Sequence, residues 1–170
     1  MTNSDGQASP EGPPLAPEPT AEPVGPSLAA RPRPRPLDAG VTAQMSRMPR
    51  RDTKPELQIR RLLHARGLRY RVDDKRLPGR PDIVFAGARL AVFIDGCFWH
   101  ACPEHGVLPK NNREWWRSKL SATVERDHRK DENLWTLGWS VVHIWEHEQP
   151  IAAAERIASA VASKTKRRAP

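Results

Sequence analysis

Leu90-Ala-Val-Phe-Ile-Asp-Gly-Cys-Phe-Trp-His-Ala-Cys-Pro-Glu-His105 is the run on which the reading of this sequence turns. Its opening, Leu90 to Ile94, is an unbroken apolar segment, short enough for a strand buried on both faces. The segment ends in a carboxylate, Asp95, followed at once by Gly96. Between residues 97 and 105 come two cysteines, two histidines and two large aromatics. Packing alone does not ask for an acid and a set of metal-type ligands at the end of a buried strand. The run therefore reads as the edge of an active site.

Upstream, Ile83-Val-Phe85 makes a short strand, and Ala86-Gly-Ala88 turns the chain toward the buried run. With an even number of residues in that turn, Asp82 and Asp95 share a face of neighbouring strands, opposite or diagonal to each other. Two bare carboxylates so placed repel. A divalent cation removes that cost, and hard oxygen ligands favour Mg²⁺ or a similar ion. Leu77-Pro-Gly-Arg-Pro-Asp82 is a loop stiffened by its prolines and glycine. Leu68-Arg-Tyr-Arg-Val72 alternates like a half-buried strand with its arginines outward. Before it, Thr53-Lys-Pro-Glu56 opens a helix with a capping-box pattern and a proline in the first turn. Ile59, Leu62 and Leu63 give that helix an apolar face, and Gly67 is its natural stop. Glu56 has two readings, a capping carboxylate or an acid placed near a metal site.

Downstream, the longest helix runs from Arg113 to about Leu137, with asparagine available as its N-cap. Trp116, Leu120, Val124, Asp127, Asp131 and Leu134 fall on one column. Asp127 thus lies in line with the apolar face, where an acid needs a reason to be. Arg117, Lys119, Arg126, Arg129 and Lys130 occupy the flanks. Gly138 ends the helix, Trp139-Ser-Val-Val-His-Ile-Trp145 is a further strand, and a last helix spans roughly Ile151 to Ala162. The order helix, three strands, helix, strand, helix suits an α/β domain, a mixed central sheet flanked by helices.

Composition divides the chain near residue 40. Residues 1–40 hold ten of the 18 prolines and no aromatic residue, so they are expected to be a disordered tail. The domain is expected at 41–162, followed by a basic tail at 163–170. No secretory h-region and no membrane span are seen. The tail has five acids and three arginines, a balance of −2, so the overall +8 puts +10 on residues 41–170. That charge predicts a polyanionic partner, and the mixed basic stretch 41–52 looks like an arm for a phosphate backbone. Two cysteines five apart argue against a disulfide framework and for a metal or a reduced interior.

Two constellations carry chemistry. Asp82 and Asp95 around a hard cation can polarise a phosphoryl oxygen, and His100 can take the proton of an attacking water. Inward-facing Asp127 is the candidate to orient that histidine. The pattern points to metal-assisted phosphodiester hydrolysis, with a structural ligand as the other reading of His100. The second set, Cys97, Cys102 and His105, supplies three ligands of a tetrahedral zinc site. The fourth is either His100, cramped with only Ala101 between it and Cys102, or, preferred, His147 just past the last strand. His147 would staple that strand to the loop and free His100. The other reading is two buried free cysteines with surface histidines. All six tryptophans lie between residues 99 and 145. Trp135, Trp139 and Trp145 are expected in the core. Phe98 and Trp99 follow a glycine at the site, and wedges of this kind can enter and unstack a base step. Trp116 reads as either wedge or core.

Leu77-Pro-Gly-Arg-Pro-Asp82, Asp95-Gly-Cys-Phe-Trp-His100, Val124-Glu-Arg-Asp127 and Gly138-Trp139 through Trp145-Glu146 resemble the very-short-patch repair (Vsr) mismatch endonucleases, over about residues 44–148. The resemblance implies a restriction-endonuclease-like fold with a structural zinc, and Mg²⁺-dependent nicking of one DNA strand beside the thymine of a T·G mismatch. By the same resemblance Asp82 matches a metal-binding aspartate, and the residue at Ile94 offers its backbone carbonyl to that metal. His100 matches the catalytic histidine, Asp127 the aspartate that orients it, and Glu56 an acid near the site. Phe98, Trp99 and Trp116 match aromatics that wedge into the duplex, and Cys97 the first zinc ligand. In some members a histidine stands at the position of Asp95, which is assigned here to the metal, and a cysteine often stands at the position of His147. The expected partner is mismatched double-stranded DNA, met by a monomer in the cytoplasm. The rivals are a nuclease of the same fold with another DNA target, and a non-catalytic zinc-stabilised DNA-binding module.

Overall fold

A computed structural model describes Gly40, Ala43, Arg47 and residues 51–166. Residues 1–39 of the proline-rich tail, most of the 41–52 arm and residues 167–170 lie outside the described residues. The elements are α1 (Lys54–Ala65), β1 (Arg71–Val72), β2 (Ile83–Phe85), β3 (Leu90–Asp95), α2 (Arg113–Thr136), β4 (Ser140–Trp145) and α3 (Pro150–Lys166). The four strands form one sheet in the order β1-β2-β3-β4. The pairs β1–β2 and β2–β3 are antiparallel and β3–β4 is parallel. The sheet is therefore mixed, with helices on both faces.

β3 lies inside the sheet and is buried along nearly its whole length, which is why its sequence lacks polar alternation. One face carries Ile83, Phe85, Leu90, Val92 and Ile144 against Ile59 and Leu63 of α1 and Ala153, Ala154 and Ile157 of α3. The alanines let α3 approach the sheet closely. On the other face the apolar contact is smaller, Ala91 and Phe93 against Leu134 of α2, with Leu77, Trp139 and Val141 at its margin. Further along that second face the strand residues become ionisable. Asp95 continues the pleat of Ala91 and Phe93, and His143 stands across the ladder from Phe93. The apolar column of α2 changes to acids over the same stretch, so like meets like across the gap.

The loop between β2 and β3 is residues 86–89, an even number. Extending the register Ile83↔Val92 by one residue puts Asp82 across from Phe93, on the pleat that reaches Asp95 two residues on.

Several local expectations are corrected. The ladder of β1 forms only at Arg71–Val72, both exposed, while Leu68 and Tyr70 pack on the core ahead of it. Asn112 occupies the N-cap position of α2 in the left-handed region (φ 53°) and its side chain makes no cap bond. Trp135 is 57% exposed, because Leu134 beside it takes the inward place. Trp139 and Trp145 are half-buried. The last helix starts at Pro150 and continues to Lys166, past the expected end at 162. Among the described residues no helix is long and apolar enough to cross a membrane.

Candidate active site and metal-ligand cluster

Gly96 releases the chain from β3 into a turn over residues 97–101, and His100 N–H donates back to the Gly96 carbonyl at 3.1 Å. The turn aims His100 at α2. Its Nδ1 lies 2.7 Å from Asp127 Oδ2, and Lys130 Nζ donates to Asp127 Oδ1 at 2.7 Å. Burial raises the Asp127 carboxyl, but the hydrogen bonds from Lys130 and His100 outweigh it and hold the group below its usual range. A charged Asp127 keeps the ring proton on Nδ1 and leaves Nε2 as an acceptor.

Asp82 stands at the mouth of β2, where its Oδ2 accepts the Ile94 N–H at 2.8 Å. Burial pushes its carboxyl up, the Ile94 bond pulls it down, Glu56 and Asp95 push again, and Arg60 opposes them. The balance settles at about 6. Burial is the main cause and the two neighbouring acids add to it, and a bound cation would relieve both. Glu56 is buried at the head of α1. Its Oε1 accepts Thr53 Oγ1 at 2.9 Å, and its Oε2 accepts Asp52 N–H at 3.0 Å and Arg60 Nη2 at 2.9 Å. Glu56 thus ties down the helix start, through Asp52 N–H, and also lies close enough to Asp82 to raise its pKa.

Asp95 is buried and links the two halves of the site. It raises the pKa of Asp82, and its Oδ1 is 3.6 Å from His100 Nδ1. Its Oδ2 lies 2.5 Å from His143 Nδ1, and His143 Nε2 reaches Asp131 Oδ2 at 3.1 Å. The sequence reading assigned no role to His143 or Asp131. Asp131 carried the same signal as Asp127, an acid in an apolar column, and His143 shares a face with Val141 and Trp145 by strand alternation.

Phe98, Trp99 and Trp116 come together as a half-exposed aromatic cluster, with ring centroids 5.0, 5.2 and 6.3 Å apart. The cluster couples the His100 turn to the first turn of α2. Trp115 packs edge-on against Trp116 at 4.9 Å, with Lys119 Nζ 5.2 Å from its ring centre.

Cys97, Cys102, His105 and His147 each place one donor atom within 4.8 Å of the others. Cys97 Sγ is 3.0 Å from His147 Nδ1, Cys102 Sγ is 3.8 Å from the same atom, and His105 N–H donates to Cys102 Sγ at 3.4 Å. His100 is engaged with Asp127 and stands outside this group. Burial, the neighbouring Cys102 and Glu146 lift the Cys97 thiol to about 11, against a small pull from His147. Two sulfurs and two imidazoles converging this closely are a donor set that suits a soft, tetrahedral cation, whose binding would displace the Cys97 proton. Glu146 Oε1 accepts Cys97 N–H at 2.7 Å, so the end of β4 holds the start of this loop.

Fold and site together define an α/β protein with a carboxylate–imidazole site and, beside it, a Cys₂His₂ group able to bind metal. The sequence profile of the DNA mismatch endonuclease Vsr family matches residues 39–104. Type II nicking enzyme V.NaeI of Lentzea aerocolonigenes is 46% identical over 117 residues, which cover 66% of this chain and 70% of that enzyme. Type II nicking enzyme V.XorIIP of Xanthomonas oryzae pv. oryzae is 43% identical over 106 residues, covering 61% and 77%. DNA mismatch endonuclease Vsr of Escherichia coli (strain K12) is 43% identical over 99 residues, covering 56% and 62%. The chain belongs to the Vsr family.

Proposed function

We propose that this chain is a Mg²⁺-dependent DNA endonuclease that nicks one strand beside the thymine of a T·G mismatch, starting very-short-patch repair. The observation that carries this reading is the 2.7 Å contact of His100 with Asp127, next to an acid cluster centred on Asp82. Asp82 and the Ile94 carbonyl would hold the hard cation, with Glu56 nearby. When bound, that ion supplies positive charge to a phosphoryl oxygen. His100 Nε2 accepts the proton of the attacking water, and Asp127 steadies the imidazolium that results. Lys130 keeps Asp127 ionised. Phe98, Trp99 and Trp116 enter the duplex at its weakest base step, where unstacking costs least. Cys97, Cys102, His105 and His147 would hold a structural zinc, within a core of the restriction-endonuclease type. The chain acts as a monomer on double-stranded DNA in the cytoplasm.

The names of V.NaeI and V.XorIIP describe nicking and no mismatch. They favour a second reading, in which the same machinery nicks a fully paired sequence. A nicking assay on T·G and paired duplexes, with and without Mg²⁺, separates the two. Equal cleavage of both duplexes removes the mismatch reading. Asp82→Ala and His100→Ala are each expected to abolish nicking, and activity in both would show that the catalytic assignment is wrong.

A further inference from the structure

A second imidazole lies beneath α2, behind the first. His143 pairs across the β3–β4 ladder with Phe93, which stacks on its ring at 5.3 Å and 18°. Its Nδ1 lies 2.5 Å from Asp95 Oδ2, and its Nε2 lies 3.1 Å from Asp131 Oδ2. Three elements therefore set the position and tilt of this ring. The free oxygen of Asp95 is 3.6 Å from His100 Nδ1. The contacts form one continuous series, from Asp131 through His143, Asp95, His100 and Asp127 to Lys130.

We infer that His143 is a positioning residue: anchored by Asp131, it occupies one oxygen of Asp95 and turns the other to His100, as a second carboxylate for that ring. The inference rests on His100 acting as the base. It also moves Asp95 from ligand of the cation to partner of the imidazole.

The physical argument starts from burial. A buried carboxylate requires a compensating partner, and Asp95 has two available, a cation beside Asp82 or an imidazole. His143 is in hydrogen-bond contact. The oxygen facing it already has a proton donor. Asp95 Oδ1 and Asp127 Oδ2 then flank the same ring nitrogen of His100, one from β3 and one from α2. Orientation of His100 rests on two elements, and its Nε2 is kept for the water.

Three readouts on the full-length chain test this: steady-state nicking of a T·G duplex, Mn²⁺ binding by calorimetry, and thermal melting. His143→Leu is expected to lower kcat by roughly 10- to 100-fold with KM for the duplex unchanged, the size of loss that misplacing a catalytic group produces. His143→Asn, whose amide can donate to Asp95 from the position of Nδ1, is expected to recover most of that loss. Mn²⁺ affinity should hold in both variants and weaken in Asp82→Asn. Should His143→Leu fail to fold, Asp131→Asn removes the anchor alone and is expected to lower kcat in the same direction. A role confined to holding the sheet together would lower the melting temperature and leave kcat intact. That result overturns the inference, as would a loss of Mn²⁺ affinity in His143→Leu matching that of Asp82→Asn. If Asp82→Asn and His100→Ala both nick normally, the proposed function falls as well. If they are dead while His143→Leu is fully active, only the role of His143 is lost.

Discussion

Two histidines on one face of the sheet have been given different work by their neighbours. His100 is 29% exposed at its side chain and has one carboxylate in hydrogen-bond contact, so it keeps a nitrogen free for chemistry. His143 has both nitrogens engaged by acids and is held charged. Its pKa of about 9 stands above the ordinary 6.5. A raised value means that the stabilisation is complete below the unfolded pKa and is lost as pH climbs through the folded one. The melting temperature is therefore expected to fall between about pH 6.5 and about pH 9, and His143→Leu should flatten that decline. At Asp127, replacement by Asn removes the charge that holds His100 in place. A kcat loss of about 10- to 100-fold is expected, with little change in duplex affinity. A large fall in affinity with kcat retained would instead place Asp127 on the DNA.

At the scale of elements, the loop after β3 carries both the proposed catalytic His100 and two members of the Cys/His group, Cys97 and Cys102, within a few residues. His147 lies just beyond β4 and Cys97 just beyond β3, so an ion bound by the group would tie neighbouring strand ends together. Saturation at 100 times Kd adds about 2.7 kcal/mol, which for a domain of this size corresponds to roughly 5–11 °C in Tm. Chelation should remove that increment, and a Tm unmoved by chelator or by His147→Ala would argue against a structural metal. Gly106 sits under a tighter constraint. A Cβ there would stand 2.4 Å from the Cys102 carbonyl oxygen, which accepts the Gly106 N–H at 2.8 Å. Gly106→Ala is expected to open the loop and weaken metal binding by tenfold or more, about 1.4 kcal/mol, as read by competition with a chromophoric chelator. α2 is held down by Leu120 and Leu134, its two buried residues. Leu134→Ala should cost about 2–5 kcal/mol and loosen the helix that carries Asp127 and Asp131.

Across the whole molecule, the excess charge of +10 on residues 41–170 is only partly neutralised within the fold. Arg61, Arg71, Lys75, Arg126 and Arg129 are exposed, and none has a carboxylate within ion-pair distance among the described residues. If five such groups meet phosphates, the logarithm of the DNA binding constant should fall against log salt with a slope of about −4.5. A slope near zero would remove the electrostatic part of the DNA reading. The aromatic cluster at the His100 turn should contribute a term that salt leaves alone, so Trp99→Ala would weaken binding without changing the slope.

Most of the fold was legible because it rests on local signals. The unbroken apolar run of β3, the column on α2 and the stops at Gly67 and Gly138 need only strand and helix periodicity. Residue types and spacing likewise showed the Cys/His group, and the acid in an apolar column singled out Asp127. The two-residue length of β1, the exposure of Trp135 and the partnership of Asp95 with His143 were not legible. Each depends on which strand lies alongside which and how closely a helix settles on them, and those distances have no trace in a one-dimensional pattern. The chain alone determined which groups would gather at the end of β3; the parallel pairing with β4 decided which of them touch, because only that register sets His143 beside Asp95 beneath α2.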